Sequence, residues 1–173
     1  MTEKDFMKRV TNGKEDVLQI FLDVLAASGA DYCVIGGLAV NAYAEPVVSL
    51  DLDIVVAAKN VEKVCASLER KFRIQRFERS VNLSSRKSDL RIQLQTDPRY
   101  QPFIQSASVR KVLGYQMKVA SLEDVLQGKL WAYQDEQRRP SKRQKDMADI
   151  LRLVEAHPEL EKKLPASIRK KLE

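Results

Sequence analysis

Two aspartates, Asp51 and Asp53, stand two positions apart in the otherwise apolar run Asp51-Leu52-Asp53-Ile54-Val55-Val56. In an extended chain alternate side chains share a face, so both carboxylates project together, roughly 7 Å apart, opposite Leu52, Ile54 and Val56. Like charges at that distance repel and lose hydration unless a cation neutralises them. Mg²⁺ suits the pair, because it takes oxygen ligands and keeps one or two carboxylates together with substrate phosphates in its shell. An isolated pair of this kind also serves as the polar cap of a strand at a solvent edge.

Upstream, Gly36-Gly37 breaks the apolar run Tyr32-Cys33-Val34-Ile35. A strand that ends in Gly-Gly before a helix lets backbone N–H groups approach a phosphate closely. Thirteen residues separate Gly37 from Asp51, enough for one short helix and a return into an adjacent strand. Downstream, Lys129 falls inside an apolar helical stripe of Leu122, Val125, Leu126 and Tyr133, where it must either snorkel or meet an anion in a cleft. Asp146 sits at the margin of a second stripe (Met147, Ile150, Leu151, Leu153, Val154) and calls for a cation, with Lys129, Lys142 and Arg143 in reach. Arg138 and Arg139 read as a solvated hinge, and Trp131 and Tyr133 as packing or a stacking platform for a base.

The elements that must position these residues follow from periodicity. A helix over residues 14–28 closes at Gly29, followed by a strand at 32–35, a short helix at 38–43 and a strand at 51–57. The spacing predicts a helix over 61–72, strands at 73–78 and 88–95, and a pair at 108–113 and 116–119. From Ser121, a candidate cap with Asp124 three residues on, the chain reads as all helix. A second helix starts after Pro140 with Ser141 as cap, and a last one lies near 166–172. Mixed elements followed by helices predict an α+β fold, with helices on one face of a mixed sheet. Residues 1–120 form the core and residues 121–173 a C-terminal helical extension of the same unit.

Composition bounds the rest. The chain has 173 residues and a net charge of +6, with 44% apolar residues, which excludes a disordered chain and suits one domain. No apolar run approaches a membrane span, and no secretory leader is read at the N-terminus. Cys33 and Cys65 lack metal or redox spacing, and with His157 as the single histidine a zinc site built from His and Cys is not expected; a cytoplasmic protein is expected. Residues 1–136 hold 19 basic and 18 acidic side chains, residues 137–173 hold 11 and 6. That asymmetry points to a polyanionic partner or substrate, or to a solvated basic helix.

Strand, Gly-Gly, short helix and DxD in that order resemble the signature of the polymerase-β-type nucleotidyltransferases. Within them, GGLAVNAY at 36–43 and SKRQKDMADI at 141–150 are similar to the AbiEii-like bacterial branch, over roughly residues 30–155. The resemblance implies a nucleotidyltransferase-like mixed sheet and transfer of a nucleoside monophosphate from an NTP to an acceptor hydroxyl, with two Mg²⁺ ions as cofactors. It implies an RNA 3′ end or a protein as acceptor, and a toxin role with an antitoxin as partner. By the same resemblance, Gly36, Gly37, Lys129, Lys142, Arg143, Lys145 and Asp146 would bind the NTP. Asp51 and Asp53 would ligate metal, joined by a third carboxylate on a neighbouring strand. Asp89 is the candidate, at the start of the strand Ser88–Gln95; the competing position is Gln93, which would leave the site without a base and the fold as a nucleotide- or RNA-binding module.

Overall fold

Residues 1–173 are described by a computed structural model. Seven strands form one mixed sheet: β1 (Tyr32–Ile35), β2 (Asp51–Val56), β3 (Arg73–Arg76), β4 (Ser80–Ser85), β5 (Ser88–Gln95), β6 (Ser108–Val112) and β7 (Tyr115–Val119). Their order is β3-β4-β5-β2-β1-β7-β6. The central strand β2 runs antiparallel to β1 and parallel to β5, with Asp51 opposite Arg91 and Asp53 opposite Gln93. An antiparallel meander, β3–β4–β5, extends the sheet on one side and a hairpin, β6–β7, on the other.

The helices are α1 (Glu3–Val10), α2 (Val17–Ser28), α3 (Gly36–Val40), α4 (Val61–Leu68), α5 (Leu122–Gln134), α6 (Pro140–Ala156) and α7 (Ala166–Arg169). Their apolar stripes decide where they pack. From α2, Phe21 reaches Phe72 just beyond α4 in an edge-on contact, and Leu18 shares a small cavity with Leu90 and Tyr115 of the sheet. Leu90 points away from the aspartate face by strand alternation, so α1 and α2 cover the apolar face of the sheet. The short α3 lies against β2 on the other face, where α5 and α6 pack upon it. Helices therefore flank both faces, and the expectation of one covered face is corrected. The cause is legible: β2, β5 and β4 bury Leu52, Ile54, Leu90, Ile92, Leu94, Val81 and Leu83 on one side, while α3, α5 and α6 surround the polar side.

Other boundaries shift for local reasons. The helix predicted over 61–72 ends at Leu68, and Phe72 turns into the core. The α6 cap is Arg139 rather than Ser141, because Pro140 takes the first helical position, where its missing N–H is no loss. Ser121 does cap α5, accepting from the Asp124 amide, and Gly29 closes α2 in the left-handed conformation at φ 63°. Helix α1 and strand β4 were not anticipated; α1 buries a single residue, Met7, and β4 has the polar text SVNLSS. No helix is long and apolar enough to cross a membrane.

Candidate active site

A cleft of about 350 Å³ opens over β2 and β5, roofed by α5 and α6. Asp51, Asp53, Gln93, Arg91, Gly36, Lys129, Arg138, Lys142 and Asp146 all line it. Residues from the two ends of the sequence meet here because β1 hands the chain directly into α3, leaving Gly36 beside Asp53. Gly36 adopts φ 71°, and a Cβ at that position would collide with the Asp53 carboxylate. Only glycine permits both the left-handed backbone and that approach. At Gly37 a Cβ would meet Asp149 Oδ2 at 3.7 Å, an ordinary contact, so Gly37 is not sterically required.

The two aspartates of β2 are treated differently. Arg91 Nε donates to Asp51 Oδ1 (2.6 Å) and Lys142 Nζ to Asp51 Oδ2 (3.1 Å). Burial would raise the Asp51 pKa, but the hydrogen bonds from Arg91 and Lys142 outweigh it and hold the carboxyl below its usual value. Burial pushes Asp53 up; the charge of Lys129 opposes this and that of Asp51 adds to it. No protein hydrogen bond reaches the Asp53 carboxylate.

Behind them stands a buried ion cluster. Lys129 Nζ lies 3.1 Å from Asp146 Oδ1 and 2.8 Å from Asp149 Oδ2, with its side chain 9% exposed and that of Asp146 1%. Arg138 Nε donates to Asp146 Oδ2 at 2.6 Å, and Arg152 Nη1 to Asp149 Oδ1 at 2.7 Å. Burial alone would lower the Lys129 pKa, yet Asp149 and Asp146 together raise it, so the ammonium is kept. Arg152 also donates to Asn41 Oδ1 (2.9 Å), and Asn41 clasps Val47 through both its N–H and C=O groups. This chain of polar contacts ties α6 to the segment that delivers Asp51.

Several sequence-predicted residues lie elsewhere. Asp89 is exposed at the start of β5, outside the cleft, four residues and about 13 Å along the strand from Gln93. Gln93 is the residue level with Asp53. Arg143 points back to the Tyr133 carbonyl (2.8 Å) and lies over the Tyr133 ring, and Lys145 is exposed; neither lines the cleft. Trp131 stacks on Phe103 and meets Tyr100 edge-on, with Arg99 over its ring, so it packs rather than offering a platform. Burial pushes the Cys33 thiol up to about 12, which leaves it inert. In the other direction, Arg138 was read as a solvated hinge but is a partner of Asp146 in the cleft. Its pairing comes from the turn at 135–139, which no periodicity reports. Arg152 and Asn41 were likewise not singled out, since each looks like an ordinary helix-surface residue in the sequence.

No cluster of three or more acidic, histidine or cysteine groups is present. Two hard carboxylates on one face, one of them without a protein partner and pressed against a glycine, do fit Mg²⁺, which completes its shell with waters and substrate phosphates. Positive charge on Lys129, Arg138, Lys142 and Arg91 surrounds the pair. The arrangement can hold a polyphosphate–metal complex against a dense ring of fixed cations.

Comparisons with known proteins bear on the fold and on the family. A search of the curated proteins gives no match. Among solved structures, the lincosamide antibiotic adenylyltransferase LnuA, lincomycin-bound, is similar at TM-score 0.57 and 15% identity, over 82% of this chain and 99% of that one. ANT(2″)-Ia in complex with adenylyl-2″-tobramycin is similar at 0.61 and 14%, over 91% and 97%. An antigenic nucleotidyltransferase-like protein from Paracoccidioides brasiliensis gives 0.58 and 20%, over 99% and 87%. Identities this low establish the fold. The family model described as "Nucleotidyl transferase AbiEii toxin, Type IV TA system" matches residues 21–173, nearly the whole chain. This protein belongs to the AbiEii family of nucleotidyltransferases.

Proposed function

We propose that the cleft transfers a nucleoside monophosphate from an Mg²⁺-bound NTP to an acceptor hydroxyl. The observation that carries this reading is the unpartnered Asp53 carboxylate, beside Asp51 and against Gly36, inside a ring of cations. A half-buried acid with no protein donor is costly on its own and makes sense when a cation and a phosphate fill the site.

Asp51 and Asp53 would hold the metal, which when bound shields the triphosphate and stabilises the charge that develops on its oxygens. The remaining work is positioning and electrostatics, as in phosphoryl transfer generally. Gly36 lets the backbone approach the phosphates, while Gly37 lies outside the cleft lining and carries no such requirement. Lys142 and Arg91 satisfy Asp51 in the free protein and are in place to turn to triphosphate oxygens. Lys129 has three donors, two of them engaged by Asp146 and Asp149, which leaves one facing the cleft. Asp146 serves as the anchor that aims Lys129 and Arg138. Gln93 can orient an acceptor hydroxyl by hydrogen bonding but cannot take its proton, so Asp53 is the proton acceptor at hand. Asp89, Arg143 and Lys145 have no role in this reading. A toxin role, with growth arrest relieved by an antitoxin, is supported by the family description.

The test is transfer of label from an α-³²P NTP to acceptors in a cell extract. Wild type should label an acceptor in the presence of Mg²⁺, and Asp51→Ala should reduce labelling by about 100-fold or more, since charge stabilisation worth several kcal/mol is removed. Labelling by Asp51→Ala at the wild-type rate would sink the proposal.

A further inference from the structure

The chain leaves α3 at Val40 and enters β2 at Asp51 through an irregular segment, residues 41–50. Its first part is fixed. The Ala42 amide donates to the Ala39 carbonyl, those of Tyr43 and Ala44 donate to the Val40 carbonyl, and the Tyr43 hydroxyl donates to the Ala120 carbonyl. From Glu45 to Ser49, by contrast, no backbone group bonds to another backbone group. Burial does not hold these residues either, since Glu45, Pro46, Val47 and Val48 are all exposed, Val47 at 52%. A stretch with so few backbone bonds and so little apolar contact opens at low cost. Yet it ends on Asp51, the first residue of β2. Pairing with β1 stops at Asp53, opposite Ile35, so β5 alone fixes Asp51 within the sheet.

Two side chains take the place of the missing backbone bonds. Asn41, 8% exposed, donates through Nδ2 to the Val47 carbonyl at 2.8 Å and accepts from the Val47 amide on Oδ1 at 2.9 Å. Arg152 of α6 donates through Nη2 to the same Asn41 Oδ1 at 2.9 Å and to the Glu45 carbonyl. Its other nitrogen, Nη1, donates to Asp149 Oδ1 at 2.7 Å, and Asp149 Oδ2 holds Lys129. A planar guanidinium serves acceptors on two sides at fixed angles, which a single ammonium does not. Ser49 adds only a local bracket, accepting from the Asp51 amide and donating to the Asp51 carbonyl. Neither Asn41 nor Arg152 lines the cleft.

We infer that Arg152 and Asn41 are positioning residues of the transfer site: they seat residues 45–49 and so set the Asp51 carboxylate beside Asp53, while the same guanidinium fixes Asp149 behind Lys129. The inference rests on the transfer reading above and extends it to two residues that touch neither metal nor nucleotide. One guanidinium stands between the segment that carries Asp51 and the carboxylate that aims Lys129. Seating the segment and filling the cleft therefore favour one another, and the coupling is reciprocal. A protein whose segment is seated only part of the time binds the metal–nucleotide complex more weakly by that fraction. Asp53 is spared, because it is paired on both sides within the sheet.

The experiment compares wild type with Arg152→Lys and Asn41→Ala. The first keeps a cation beside Asp149, so the buried cluster stays neutralised, and the second leaves that cluster untouched. Amide hydrogen exchange of the free protein, read by mass spectrometry, reports the segment. Peptides spanning residues 45–51 should exchange at least about tenfold faster in both variants, with the protection of α5 unchanged. Binding of Mn²⁺ with a non-hydrolysable α,β-imido NTP, followed by electron paramagnetic resonance, reports the site. Affinity should fall about tenfold in both variants, and adding the complex to wild type should slow exchange at residues 45–51. In label transfer, the Mg²⁺-NTP concentration for half-maximal rate should rise while the saturated rate stays within about twofold, because excess complex reseats the segment. Unchanged exchange at residues 45–51, or loosening of α5 to the same extent, would overturn the inference. A fall in the saturated rate at unaltered half-saturation would overturn it too, by placing the residues in the chemistry itself. Normal label transfer with metal–nucleotide affinity independent of both residues refutes positioning alone. Affinity that depends on Arg152 and Asn41 without any label transfer by wild type refutes the transfer reading alone.

Discussion

Asp51 and Asp53 leave the same strand on the same face, two residues apart, and meet opposite surroundings. Asp51 is clamped by Arg91 and Lys142 and titrates low. Asp53 has no donor, is pressed against Gly36 and titrates high. The difference lies in what faces each residue across the cleft. Lys142, near the start of α6, reaches Asp51. Deeper in, Lys129 is nearest in charge to Asp53, but its ammonium is held by Asp146 and Asp149. One carboxylate is thus neutralised by groups that can move, the other by groups that are fixed and already paired. A cation entering the cleft gains most at Asp53 and displaces side chains only at Asp51.

Removing the fixed cation breaks the comparison most severely. Lys129→Met leaves Asp146 to Arg138 and Asp149 to Arg152, and takes the nearest positive charge from Asp53. Breaking a buried pair from one side costs about 3–5 kcal/mol. Lys142→Met, which touches only the half-exposed Asp51, should cost less than about 1 kcal/mol. Urea denaturation of both variants checks the contrast, and equal losses would mean that the two sites are not distinct in burial. A smaller effect comes from Gly36→Ala, where the left-handed backbone alone costs about 1–2 kcal/mol. The added methyl must also displace the Asp53 carboxylate, so NTP-dependent labelling should fall by more than the stability loss predicts. Gly37→Ala, with ordinary spacing around it, should leave labelling near wild type.

The residues that set this contrast were unevenly legible in the sequence. Alternation in DLDIVV places both aspartates on one face, and the apolar stripe of α5 marks Lys129 as a lysine that must find an anion. Strand β5 was readable from SDLRIQLQ, but its register against β2 was not, since hydrogen-bond pairing between strands forty residues apart leaves no local signal. That register decides that Gln93 rather than Asp89 is level with Asp53. Strand β4 was missed because an edge-side strand with serine and asparagine on its cleft face has no apolar face but Val81 and Leu83. With it went the cluster of Arg70, Lys71, Arg73, Arg86 and Lys87, scattered over a helix end, two strands and a turn. Net charge counted over residues 1–136 cancelled them against the acids elsewhere. Arg138 escaped because a turn residue's partner is set by tertiary packing and not by spacing.

The smallest effect is the most discriminating, because it has opposite sign at the two aspartates. Asp53 has its folded pKa raised above the unfolded value, so its contribution is fully present below the unfolded pKa and is lost as pH rises through the folded one. Asp51 has its folded pKa lowered, so its contribution is present above the unfolded pKa and is lost as pH falls through the folded one. In metal-free protein, Asp53→Asn should therefore gain stability relative to wild type as pH rises from acid to neutral. Asp51→Asn should lose stability over the same range, by about 1 kcal/mol or less for its partly exposed ion pairs. Denaturation midpoints of the two variants against wild type, taken from about pH 2 to neutrality so that both sides of the carboxylate range are covered, should diverge in opposite directions. Parallel curves would mean that both carboxylates are equally compensated without a ligand, and the argument that Asp53 awaits a cation would fail with them.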